Sequence, residues 1–534
     1  MLLLLTLTFT GTNMLTSTEN NSSVNELANS NTLLTGTSGG TWREKSKIIL
    51  KQIKYVLRET TVEPCLFMYM MCTSISSLAV QSMHLEKACR VNFNYGDDIC
   101  DRLRLRNTTG LDEEVNNVQS LVAKVVAWKF PLQTIIPAIM VIFVGAWSDK
   151  YKKRKICIVF PFIGEILSNT GLLFATYYFQ ELSLTATALI EALPAAFTGS
   201  YVIIFMGMYS FMADRTTVES RTFRLGLVTI CVTLGTPTGT ALSGILLRAL
   251  GYYGVFSLLL VLYFLSFLYG LIRLEDVLPI EESASSITRY TMQNKRLKML
   301  REVCQLVANT VMVALKPRAF QGRTQIFCIL ALYLLMVGPL YGDSQVSYLY
   351  TIRKFGFTEV EYSIYGTINI VVGLLGTIFC ILVLSKRMNV QDSIIGALAG
   401  VSRIAGCLMF ALAPTRQWFY SAPLFNIFSF TGLTAIRSIA TKSVPTEEVA
   451  KLSALIGVTE SLAPSIYMPA SSYIYMSTIE TFPGAFYLFD AALTVVALCL
   501  FGMIYILARK KNIALSANVT NKEELARENE ISRF

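Results

Sequence analysis

Along its 534 residues the chain repeatedly sets apolar runs as long as a bilayer is thick directly against clusters of cations. The clearest case is "PLQTIIPAIMVIFV", followed at once by "GAWSDKYKKRK" from Gly145 to Lys155. A soluble helix interleaves charges with apolar positions, because only one of its faces meets a core. Complete segregation requires the two parts to lie in different media. Composition agrees: 53% of residues are hydrophobic and 15% charged, with mean hydropathy +0.50, too little polar surface for a soluble globule. A net charge of +10 would point to nucleic acid in a soluble protein, but a membrane protein keeps its cations where anionic lipid lies. Membrane lipid is the expected partner, and nucleic acid is not.

Apolar segments begin near Val62, Val125, Ile156, Ala186, Leu225 and Tyr252, and again near Gln325, Tyr362, Ile394, Trp418, Ser453 and Gly484, which predicts twelve transmembrane helices. The fourth and seventh are long and interrupted, by Pro194 and by Gly338 with Pro339, where kinks are expected. Lys and Arg fall in alternate short loops and in both tails, so both termini are expected in the cytosol. The polar stretch 274–324 is likewise basic and divides the segments six and six. The expected organisation is a cytosolic tail over 1–60, partly disordered, a six-helix bundle over 61–273, a cytosolic linker over 274–324, a second bundle over 325–508 and a cytosolic tail over 509–534. The opening "MLLLLTLTFTGTNML" lacks a basic n-region and an A-x-A-like cleavage site, so it is not read as a signal peptide. Neither tail carries an acidic dileucine or a convincing Tyr-x-x-apolar signal, which favours the plasma membrane over the lysosome.

The first outward loop, His84 to Lys124, holds Cys89, Cys100 and the sequon Asn107-Thr108-Thr109. An oxidising, glycosylating compartment would let the cysteines pair and Asn107 carry a glycan. Cys231, Cys328, Cys380 and Cys499 lie in apolar segments and are read as packing residues. No metal-ligand spacing is present and no cofactor is expected.

A glycine, a carboxylate four residues on and a basic cluster between the second and third of twelve helices resemble the signature loop of the major facilitator superfamily. Gly145 matches the glycine that permits close helix approach, and Asp149 the carboxylate that latches the cytoplasmic side. Arg154 belongs to the same basic cluster. Lys152 stands where that signature has a second glycine. Six stretches, this loop among them together with "HLEKACRVNFNYGDDICDRL", "YSFMADRTTVESRTFRLG" and "AIRSIATKSVPTEEVAKLSALIG", resemble solute carrier family 46 in matching order from Val62 to about Ala508. This resemblance implies an all-α integral membrane protein in the major facilitator fold, with two six-helix halves. It also implies a transporter of folate-like, muropeptide or cyclic-dinucleotide anions, and, together with the spacing of Cys89 and Cys100, a disulfide between them. Asp214 and Arg221 match the family's "ADxxxxxxR" loop and are read as a gate or fold element.

Charges within apolar segments are costly by at least about 2.5 kcal/mol each on insertion scales, so they normally face a water-filled cavity or a partner. Those to inspect are Glu165, Glu191, Asp343, Arg403, Arg437, Glu460 and Asp490. Arg437 matches the tenth-helix arginine of the folate transporter's substrate pathway. It and Arg403 are candidate anion clamps, or else members of ion pairs, for instance with Glu460 or Asp343. Tyr341, Tyr69 and Gln81 are candidate cavity residues. Proton coupling needs a group whose protonation can change as access alternates. The single histidine, His84, lies at the outer end of the first segment, and the folate transporter's functional histidines have no counterpart. Glu460, ranked first, Glu165 and Asp490 are therefore the candidate proton carriers.

These features point to a secondary transporter of small organic anions working by alternating access, with protons as candidate co-substrate. The alternative is a transporter-like receptor or scaffold without turnover. An enzyme is excluded by the lack of any catalytic cluster, phosphate-binding glycine loop or nucleophile elbow in the loops.

Overall fold

A computed structural model describes residues 61–215, 218–276, 322–444 and 446–531. The expected tail over 1–60 and nearly all of the 274–324 linker lie outside the described residues. The helix bundle belongs to the unit from Cys65 onward.

Every regular element among the described residues is helical. In chain order they are α1 Glu63–Lys87, α2 Asp97–Arg104, α3 Asp112–Tyr151, α4 Arg154–Tyr177, α5 Leu184–Thr198, α6 Ser200–Arg215, α7 Val218–Arg273, α8 Gly322–Phe355, α9 Glu359–Phe379, α10 Asp392–Leu412, α11 Arg416–Phe425, α12 Thr431–Ser443, α13 Thr446–Thr478 and α14 Ala485–Ile531. Wide-turn π segments extend α1 (Ala88–Asn92) and α9 (Cys380–Arg387). Starts are set locally. The Ser183 hydroxyl accepts from the Ala186 N–H to open α5, and Thr358 with Glu361 forms a reciprocal capping box that opens α9.

Nine helices among the described residues are long and apolar enough to cross a membrane, where the sequence predicts twelve. The difference has three local origins. α7 is 56 residues long, about 80 Å at 1.5 Å per residue and far beyond a hydrocarbon core of about 30 Å, but Gly251 (φ +63°, ψ −173°) breaks it. One apolar span is therefore counted where two predicted segments lie. The tenth predicted segment is divided between α11 and α12, each too short to cross alone. α13 carries polar residues and two prolines along its length and falls below the hydropathy of a span. α5 runs through Pro194 and α8 through Pro339, and the chain breaks between α5 and α6 at Gly199 and Ser200, both at positive φ.

The longest packing seams join α3 to α13, α8 to α13, α10 to α14, α7 to α4 and α7 to α9. At the end carrying the outward loop, an aromatic core gathers Tyr350, Phe355, Phe410, Phe419, Phe486 and Tyr487 from α8, α10, α11 and α14. The rings of Phe410 and Tyr487 stack at 5.2 Å, and the Tyr350 hydroxyl donates to the Phe410 carbonyl at 2.7 Å.

Candidate functional site

A cavity of about 630 Å³ lies among the helices, with walls from α1 and α3 to α10 and from α13 and α14. Residues on both sides of the 274–324 stretch contribute. Its charged wall residues are Lys129, Glu165, Glu191, Asp343 and Arg403; Tyr201, Tyr263, Tyr341, Tyr362 and Phe430 supply aromatic surface, and Gln81, Asn169 and Asn369 supply amides. A mostly apolar wall with a few convergent polar groups suits an organic solute of drug size.

Two charge clusters bear on this space. In the first, the Arg403 guanidinium of α10 contacts a carboxylate oxygen of Asp343 on α8, and its Nη2 lies 3.3 Å from Asp490 Oδ2 on α14. Arg403 and Asp490 are buried, and one oxygen of each carboxylate has no protein partner. One cation therefore serves two carboxylates, leaving the group one negative charge in excess when both are ionised. In the second, Lys129 Nζ of α3 donates to both carboxylate oxygens of Glu191 on α5, at 3.0 and 2.9 Å. His84 Nε2 of α1 lies 3.5 Å from Glu191 Oε2 on the side away from solvent.

Of the predicted site residues, Arg403, Tyr341, Gln81 and Glu165 are wall residues. Tyr69 is buried behind Glu165, donating to its Oε1 at 3.0 Å, and Asp490 stands behind Arg403. Arg437 is not among the walls. Its Nε donates to the Tyr333 hydroxyl at 2.7 Å and its Nη2 to Glu460 Oε2 at 3.0 Å, with the side chain 55% exposed. Both Arg437 and Glu460 lie within electrostatic reach of Tyr341. Lys129 is the residue sequence reading missed. Its signal was a cation inside the apolar run "VVAWKFPLQTIIP", four residues past the start assigned to that segment.

At the basic-loop end, Arg154 is buried. Its Nε donates to Asp214 Oδ2 at 2.9 Å and its Nη1 to Ser148 Oγ at 2.9 Å, tying the loop to the end of α6. The side chains of Asp149 and Arg221 lie outside the described residues. A Cβ at Gly145 would meet no described atom within 4 Å. Lys152, in the place of the second glycine, adopts the left-handed conformation itself, at φ +53° and ψ +26°.

At the other end Cys89 and Cys100 form a disulfide, and the loop it staples carries the exposed Asn107. Arg106 Nη2 of this loop donates to Glu359 Oε1 of α9 at 2.9 Å, and Ser82 donates to the same oxygen at 3.2 Å. Arg353 of α8 donates to Asn116 Oδ1 of α3 at 2.9 Å, and the Tyr475 hydroxyl of α13 to Gln119 Oε1 of α3 at 2.6 Å. These ties join segments from before and after the 274–324 stretch at the disulfide end. The described residues offer no group of His, Cys, Asp and Glu able to hold a metal ion.

The family model described as Major Facilitator Superfamily matches residues 64–466. The chain is 26% identical over 452 residues to the probable peptidoglycan muropeptide transporter SLC46 of Drosophila melanogaster, covering 83% of this chain and 85% of that one. It is 22% identical over 445 residues to the lysosomal proton-coupled steroid conjugate and bile acid symporter SLC46A3 of Gallus gallus, covering 82% and 92%. To the proton-coupled folate transporter of Rattus norvegicus it is 21% identical over 367 residues, covering 67% and 74%. Among solved structures, the human organic anion transporter MFSD10 (TETRAN) shares the fold with TM-score 0.53 at 13% identity, over 82% of this chain and 98% of that one. A peptide transporter POT in complex with sulfate shares it with TM-score 0.53 at 12% identity, over 84% and 95%. The chain is thus a multi-pass membrane transporter and not an enzyme: it belongs to the Major Facilitator Superfamily, and the curated relatives it matches are members of solute carrier family 46.

Proposed function

We propose that this protein carries amphipathic organic anions across a membrane by alternating access, with a proton as co-substrate. The observation that carries this reading is the cavity of about 630 Å³ with a buried cation on each side of the linker stretch, Lys129 before it and Arg403 after it, each held by carboxylates. Cations kept this far from water need an anionic partner, and a substrate carboxylate or phosphate can compete for them. The aromatic walls accept the apolar body of the same molecule. Muropeptides, steroid conjugates and folates, named for the relatives, all combine an anionic group with a larger organic frame. Residues before and after the linker then rock as two halves about the cavity, with Arg154–Asp214 as a strut at one end and Arg106–Glu359 as a tie at the other. Arg437 and Glu460 stand beside Tyr341 as a second anion contact on the route to the cavity.

The deciding experiment reconstitutes purified protein in liposomes and measures uptake of labelled muramyl dipeptide, a bile acid conjugate and folate at acidic and at neutral external pH. Saturable uptake of at least one, lowered tenfold or more by Arg403→Ala, is the expected result. Binding without uptake of any of them would instead mark a receptor or scaffold. Surface biotinylation of intact cells tells the plasma membrane from the lysosome.

A further inference from the structure

The cluster of His84, Lys129 and Glu191 is more than a fixed salt bridge, because its geometry leaves one member unserved. Glu191 lies on the cavity wall with both oxygens engaged by Lys129. Behind it His84, the single histidine of the chain, is 1% exposed, and its Nε2, 3.5 Å from Glu191, has no protein hydrogen-bond partner. The other charges facing the cluster are Lys87 on α1, Glu165 on α4 and Glu181 in the turn before α5. The Lys87 ammonium is fixed, donating to the carbonyls of Phe179 and Leu182 at 2.9 Å each.

While Lys129 holds Glu191, a proton on His84 would add a cation beside two others, and the carboxylate at ion-pair distance from its ring is already engaged. If an anion entering the cavity draws Lys129 to itself, Glu191 is left uncompensated in a buried site. A protonated His84 then becomes its best partner. We infer that His84 and Glu191 bind the co-transported proton and that Lys129 binds the substrate's anionic group, the exchange of Glu191 from Lys129 to His84 being the coupling event. This rests on the anion-transport reading above and assigns its proton site. Charge balance supports it. Empty, the three side chains sum to zero; with one monoanion and one proton bound they sum to zero again. Either ligand alone leaves one uncompensated charge in a buried setting, which is costly, so the two bind together. Linkage requires that each raise the other's affinity by the same factor.

Because the chain has a single histidine, ¹⁵N-histidine NMR of the full-length protein in nanodiscs reads His84 without assignment. Lys129→Gln imitates the substrate-bound arrangement and should raise the proton affinity of His84 at least about tenfold, one pH unit, over wild type. The double variant Lys129→Gln with Glu191→Gln should abolish that gain. A change smaller than about twofold in Lys129→Gln, or a gain that survives removal of Glu191, overturns the inference. A second arm measures muramyl dipeptide uptake at acidic over neutral pH, and in His84→Gln this ratio should fall to about one. It decides the matter if Lys129→Gln does not fold, and a ratio unchanged from wild type overturns the inference. If wild type carries none of muramyl dipeptide, a bile acid conjugate and folate, the anion-transport reading fails, while the NMR arm still decides the linkage.

Discussion

Lys152 holds a backbone conformation that favours glycine, in the sequence position where the major facilitator signature has one. A non-glycine residue there costs about 1 kcal/mol. Lys152→Gly should therefore raise thermal stability by a similar amount, measured by unfolding in detergent, and a loss of stability would show that the lysine side chain outweighs the strain. Arg403 presents the opposite case. Truncating it leaves two carboxylates near one another in a buried site, and breaking such a group typically costs about 3–5 kcal/mol. Arg403→Ala should express poorly, and adding Asp490→Asn should restore part of the loss. Equal loss in both would assign Arg403 a packing role independent of its charge. Single intramembrane charges such as Arg403, Glu165 and Glu191 were legible in the sequence, since a charge inside an apolar run needs a reason. Glu460 and Asp343 were legible as candidate partners for the two arginines, and the structure pairs Arg437 with Glu460 and Arg403 with Asp343; Asp490 as a second partner of Arg403, and Lys129 as that of Glu191, were not legible. Arg403 meets Asp490 from 87 residues away, and no local pattern carries that pairing.

α7 shows how an element can conceal its own architecture. Its apolar pattern runs on through Gly251, so the helix counts as one span by length and hydropathy, while the backbone turns at a residue without a side chain to oppose a positive φ, beside the start near Tyr252 that the sequence predicts. Further up the same helix, Gly244 lies against α9, where an added Cβ would stand 2.4 Å from the Glu359 carbonyl. Gly244→Val must therefore push α7 and α9 apart just where Arg106 and Ser82 meet the Glu359 side chain. Cysteine accessibility at the disulfide end should rise in this variant. Accessibility at the wild-type level would mean that α9 yields without opening the closure. Helix existence and approximate order were readable from apolar runs of bilayer length, because burial of that much surface leaves few alternatives. The break at Gly199 was not legible, because two successive residues at positive φ end a helix without any proline to announce it.

Across the whole molecule, the ties at the disulfide end join segments from before and after the linker stretch: Arg106 to Glu359, Arg353 to Asn116 and Tyr475 to Gln119. The basic-loop end shows a different pattern in its described residues, with Arg154 bound to Asp214 and Lys442 to Asp392, each within a stretch on one side of the linker. The exposed sequon at Asn107 belongs to the tied end, and loss of a mass shift with peptide N-glycosidase in Asn107→Gln would place that end in the lumen or outside the cell. No shift in wild type would reverse the orientation drawn from the cation count, or leave the sequon unused.

The same three ties determine how the protein answers a ligand arriving from the disulfide side. Under the alternating-access reading, and at a net worth of about 1 kcal/mol each, they would hold a form open at this end roughly a hundredfold below the closed one. A ligand that needs the open form must first draw from that small population, and its apparent affinity falls by the same factor. Arg106→Ala, by loosening one tie, should make an inhibitor applied from this side bind about fivefold more tightly while its contacts with the cavity stay the same. Potency measured on the resting transporter is in that sense a reading of how often the gate stands open, and only in part a reading of how well the molecule fits.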